Sequence, residues 1–82
     1  MPYRVEWGAD ARDTLAEIWL AASDRAAVTR AQHQIDQVLT TFPASGEPLS
    51  EGIYVVEIPP LRVYYEIDAE NLLVTVTNLG SR

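Results

Sequence analysis

Apolar and polar positions alternate at the start of the chain. Tyr3, Val5 and Trp7 are separated by Arg4 and Glu6, the period-two pattern of a strand with one buried face. Gly8 ends the run. Asp10 is placed to cap a helix, with Asp13 in its first turn, where the helix dipole favours an anion. The period then lengthens. Ala11, Leu15, Ile18, Trp19 and Ala22 form one stripe, which predicts an amphipathic helix over 10–22. Ser23 and Asp24 stop this helix and cap a second, from about Arg25 to Thr41, whose stripe is Val28, Ala31, Ile35, Val38, Leu39 and Phe42. So short a junction predicts a helical hairpin.

Residues 43–52, rich in Pro, Ser and Gly, read as a loop. Three apolar runs follow, about Ile53–Ile58, Leu61–Ile67 and Leu72–Leu79, and predict a meander of strands. Pro59 and Pro60 sit in the first turn, expected to be a wider loop from Ile58 to Leu61 because proline cannot take the positive φ of a tight primed turn. Asp68 to Asn71 makes the second. The predicted fold is therefore α+β: strand-helix-helix-strand-strand-strand over residues 1–82 as one domain, with the helical hairpin on one face of a mostly antiparallel sheet.

Turn lengths fix register, and register fixes which side chains meet. Pairing Glu57 with Arg62 sets Val56 against Val63 and Tyr54 against Tyr65. Across the second turn, Ile67 is expected opposite Leu72, Tyr65 opposite Val74 and Val63 opposite Val76. The two registers agree on one apolar face under the helices. The other face then carries Glu57, Arg62, Tyr64, Glu66, Thr75 and Thr77, with Tyr64 at its centre.

Composition narrows the chemistry. Twelve acidic residues stand against six basic ones, all arginine, for a net charge of −6. That balance excludes broad electrostatic attraction to nucleic acid or anionic lipid as the working principle. The chain has no Cys and one His, so no disulfide scaffold, thiolate nucleophile or His-built metal site is expected. No nucleotide-binding motif is present, and no cofactor is expected. No apolar run reaches the ~18 residues of a membrane span, and the first residues lack a signal-peptide layout. A soluble cytoplasmic protein is expected.

Four stretches resemble the RelE/ParE superfamily of bacterial type II toxins. The spacing of Ala11, Leu15 and Ile18 looks like that family's first helix. Phe42-Pro43 with Gly46 and Gly52 looks like the loop after its second helix. Leu61-Arg62-Val63-Tyr64-Tyr65 looks like its central strand, which typically reads Tyr-Arg-Val-x-Tyr. Val74 to Arg82 is similar to its last strand, which ends in a His-Arg pair. The resemblance implies a plasmid-stabilisation type of toxin neutralised by a small antitoxin. In one branch of the superfamily the toxin cleaves messenger RNA on the ribosome. In the ParE-like branch it blocks DNA gyrase without nuclease chemistry.

By the same resemblance Arg62 and Arg82 are the candidate phosphate-binding cations and Tyr64 a base-stacking platform. The chain departs from the nuclease pattern at several positions. Glu57 replaces a usually basic residue and would neutralise Arg62, Ser81 stands where a His is expected, and the sequence ends without the family's C-terminal Tyr. The alternatives are therefore an active nuclease toxin, a non-catalytic module of the same fold (a ParE-like gyrase inhibitor or a degenerate toxin), or a plain structural or interaction domain whose surface is an apolar groove along the helical hairpin. The net charge leads to the expectation that any antitoxin is basic or neutral where it docks. The plainer readings are an Arg62–Glu57 cross-strand pair, core-facing Tyr54 and Tyr65, Trp7 and Trp19 as anchors between the first strand and helix, a solvated His33, and a solvated rather than metal-binding turn at Glu66, Asp68 and Glu70.

Overall fold

The computed structural model describes residues 2–81. Its elements are β1 (Arg4–Trp7), α1 (Ala9–Ala21), α2 (Arg25–Thr41), a 3-10 turn (Pro43–Ser45), β2 (Glu47–Ser50), β3 (Ile53–Ile58), β4 (Leu61–Asp68) and β5 (Leu73–Ser81). The strands form one sheet in the order β1-β5-β4-β3-β2. β1 runs parallel to β5, and every other pairing is antiparallel.

Local chemistry explains both helices. Gly8, not Asp10, is the N-cap of α1. Its N–H donates to Val76 O at 2.9 Å, and its carbonyl accepts from Arg12 N. Asp10 falls instead in the first turn, where the dipole still favours it. At the other end, Arg25 donates from Nε to Trp19 O, which also accepts from Ala22 N, and from Nη2 to Leu20 O, so its guanidinium caps two of the last carbonyls of α1. Asp24 caps α2 through Ala27 N at 3.1 Å. α2 ends at Thr41, because Phe42 precedes Pro43 and a residue before proline avoids the helical region.

The core is made where α2 meets the sheet. Val28, Ala31, Ile35 and Leu39 from α2 pack with Leu61, Val63, Tyr65, Val74, Val76 and Leu79, and α1 adds buried Ala11. Trp7 joins β1 to α2 through Nε1–H to Asp36 Oδ1 at 2.8 Å. Tyr54 and Tyr65 both lie on this side, stacked with ring centroids 5.7 Å apart.

The structure departs from the sequence reading at identifiable points. The expected loop 43–52 contains the 3-10 turn and the exposed edge strand β2. The Pro59–Pro60 turn is tight: Ile58 pairs directly with Leu61 around a cis Pro59–Pro60 peptide bond, as in type VI turns. The β3–β4 register is as expected, with Glu57 opposite Arg62 and Tyr54 opposite Tyr65. The β4–β5 register is displaced: Ile67 faces Val74, Tyr65 faces Val76, and Val63 faces Leu79. A bulge at Thr77, opposite Tyr64 and Tyr65, causes the last change. The extra residue returns Leu79 to the buried face. Trp19 and Phe42 were expected in the apolar stripes, yet both are exposed, at 40% and 68%.

Candidate functional site

β4 is the central strand of the helix-free face, and alternation sends Arg62 and Tyr64 out of it while Leu61, Val63 and Tyr65 go inward. Arg62 lies between Glu57 on β3 and Gly80 on β5. Its Nη1 is 4.0 Å from Glu57 Oε1, and both side chains are a little over one third exposed. The guanidinium carbon is 5.8 Å from the centre of the Tyr64 ring. Arg62 Nε is shielded from solvent with no hydrogen-bond partner among the described residues. A buried donor of this kind accommodates an oxygen acceptor such as a carboxylate, carbonyl or phosphate.

A small cavity of about 270 Å³ opens beside Arg62, lined by Glu47, Val55, Glu57 and Arg62. Glu47 and Val55 are the residues sequence reasoning missed here. Glu47 comes from β2, which composition hid. Val55 is buried on the helix-free face, and the run Ile53 to Val56 is apolar at every position, so it carries no alternation to assign a face. Two carboxylates therefore border one guanidinium, which holds the local field negative rather than positive.

The other candidates do not converge on this point. Ser81 pairs with Leu61 at the end of β5 and lines a separate cavity on the helix side, with Ala22, Val28, Pro59 and Pro60. Arg82 lies outside the described residues. Asp68 accepts from Asn71 Nδ2 at 2.8 Å and from Asn71 N. These two bonds hold its carboxyl below the usual carboxylate range. Asp68 thus closes the β4–β5 turn. Among the described residues no group of three His, Asp or Glu is arranged to hold a metal ion. His33 is exposed on α2. Among the described residues no helix is long and apolar enough to cross a membrane.

Tyr65 supports the site from beneath. Its hydroxyl donates to Pro43 O. Burial pushes the phenol above its ordinary value, a backbone hydrogen bond with Gly46 lowers it, and nearby Tyr54 raises it. A Cβ at Gly46 would collide with the Tyr65 hydroxyl and would lie 2.7 Å from Val55 O. Gly46 is the residue that lets the chain pass close over Tyr65 and deliver Glu47 to the cavity.

Comparison with known proteins bears on what this arrangement serves. Residues 5–82 match the family model described as the ParE toxin of the type II toxin–antitoxin system parDE. A search of curated proteins found no match. Among solved structures, the chain is similar to the RelBE2 toxin–antitoxin complex of Mycobacterium tuberculosis, with a TM-score of 0.83 at 22% identity over 100% of this chain and 93% of that one. It is similar to the archaeal RelE–RelB complex of Pyrococcus horikoshii, with a TM-score of 0.74 at 16% identity over 100% and 97% of the two chains. It is also similar to the chromosomal ParDE system of P. aeruginosa, with a TM-score of 0.65 at 14% identity over 96% and 95%. At these identities the structures establish the fold.

Proposed function

The chain belongs to the ParE toxin family of type II toxin–antitoxin systems, and we propose that it is the toxin of such a pair, acting in the cytoplasm on a protein target and neutralised by a small antitoxin. The observation that carries the choice of target is the surrounding of Arg62. Cleavage of RNA needs cations for the developing phosphate charge and a positioned base and acid. Here Arg62 is bordered by Glu47 and Glu57, and Ser81 points to the other side of the sheet. Arg62 and Tyr64 instead offer a planar cation and an aromatic ring side by side, a pairing suited to gripping a protein surface. A gyrase-inhibiting mode, as in the ParE-like branch, fits this chemistry better than ribosome-dependent cleavage, and residues 1–82 act as one toxin domain.

The deciding experiment is induced expression of the wild type beside Arg62→Ala, each checked for a native melting transition. Wild type is expected to arrest growth and inhibit supercoiling by purified gyrase. Arg62→Ala is expected to relieve both. Specific new ends in messenger RNA after induction, with supercoiling unaffected, would overturn the protein-target reading. Growth unaffected by the wild type would overturn the toxin reading.

A further inference from the structure

A cavity of about 650 Å³ lies where the tip of the helical hairpin faces the Pro59–Pro60 turn, a size that suits a small organic ligand. Val28, only 1% exposed, closes its floor. Ile18, Pro59 and Pro60 supply apolar walls. Ala22 and Ala27 also line it. These alanines, at the end of α1 and the start of α2, are too short to fill the wedge between hairpin and turn, so apolar surface stays open there.

The charged groups at this cavity are acidic. Glu17 and Asp24 both line it, and no arginine among the described residues does. Glu17 makes no ion pair among the described residues. Asp24 Oδ1 accepts from Ala27 N, which fixes that carboxylate at the start of α2. Asp13, one turn before Glu17 on α1, adds to the same sign. Arg25, next to Asp24 in the chain, is held on Trp19 O, Leu20 O and the Trp19 ring. The end of α1 and the start of α2 carry opposite partial charges that offset each other. The two carboxylates therefore set the sign. An apolar cavity edged by carboxylates complements a ligand with an apolar body and one positive head.

We infer that this cavity binds a small amphiphilic cation, an amine whose apolar body lies on Ile18, Val28 and the proline rings while its ammonium meets Glu17 and Asp24. The site is separate from the Arg62 face, because it lies on the helix side of the sheet.

The probe is 4-phenylbutylamine, protonated at neutral pH, titrated into the full chain and followed by amide chemical shifts and melting temperature. Shifts are expected at Ala22, Ser23 and Ala27. At about ten times its dissociation constant the amine is expected to raise the melting temperature by about 5 °C or more. The alcohol 4-phenylbutanol has the same body without the charge and is expected to bind about tenfold more weakly. Glu17→Gln and Asp24→Asn are each expected to weaken the amine by about threefold, and Asn still caps a helix. Ala22→Leu fills the cavity and is expected to abolish binding, with the melting temperature of the free protein unchanged or higher. Glu70→Gln, on the β4–β5 turn, is expected to bind as wild type. Equal affinity for amine and alcohol would overturn the cationic class. Undiminished binding to Ala22→Leu would move the ligand to another place and sink the site. No response to the amine up to about 10 mM would refute the proposal outright. Tighter binding of an acetylated leucyl-lysyl-leucine amide than of the amine would give the cavity to a basic side chain of a polypeptide instead.

Discussion

Tyr65 concentrates the residue-scale physics of this molecule. It is fully buried, stacks on Tyr54, and gives its only hydroxyl proton to Pro43 O. Tyr65→Phe removes that bond and leaves a buried carbonyl short of a partner, so a loss of about 1–2 kcal/mol is expected in chemical denaturation. The same residue sets an alkaline limit. Its folded pKa is raised above the unfolded value near 10, so its contribution is fully present below about pH 10. Above that the unfolded phenol ionises first and the contribution is lost. Wild type is expected to lose stability above pH 10 more steeply than Tyr65→Phe, as thermal melts across pH 9–11 would show; parallel curves would refute it. Gly46 is the complementary case. Gly46→Ala forces a Cβ onto the Tyr65 hydroxyl and Val55 O, with an expected cost of about 2–3 kcal/mol, readable as a fall in melting temperature of roughly 10 °C or more in a chain of this size.

At the scale of elements, the cap of α2 and the alternation of the central strand were legible, and the cap of α1 and the ladder details were not. Asp24 announced the start of α2, and its side chain accepts the expected bond from Ala27 N. Asp24→Ala should lower stability by about 1 kcal/mol in urea unfolding, and an unchanged midpoint would contradict the capping role. The strand run from Leu61 to Ile67 gave its buried face correctly because apolar and polar residues alternate there. β2 was hidden, since Glu47–Ser50 is exposed at every position and contains Pro48. An edge strand with both faces solvated carries no hydrophobic period. The β4–β5 register is displaced from the turn onward, where Ile67 meets Val74 rather than Leu72, and one extra residue, Thr77, adds a further step that sets Val63 against Leu79; no local pattern marks either. The expected stripe of α1 was right at Ala11 and wrong at Trp19 because a helix with two apolar faces yields one blurred stripe.

At the scale of the whole molecule, the candidate site occupies the helix-free face of the sheet. The sheet face was legible in the sequence through Arg62, Tyr64 and Glu57, since one correct turn register brings all three together. Its outer wall, Glu47, was not, because it depends on β2 and on Gly46 crossing Tyr65. That wall changes the reading from a phosphate site to a negative-rimmed cavity, and the net charge of −6 acts in the same direction. A protein that grips nucleic acid releases counterions from phosphates neutralised by Lys or Arg. Here the described sheet face offers Arg62, already bordered by carboxylates, and Arg4, paired with Glu6 at 3.1 Å. The purified chain is therefore expected to show no binding to single-stranded RNA or duplex DNA in fluorescence anisotropy at about 150 mM salt, up to tens of micromolar protein. Charge removal on this rim gives the sharper test. If Glu57 holds the field negative, Glu57→Gln combined with Glu47→Gln should produce measurable RNA binding that fades as salt rises. A double variant that still ignores RNA would show that the shape of the cavity, rather than its charge, keeps phosphates out.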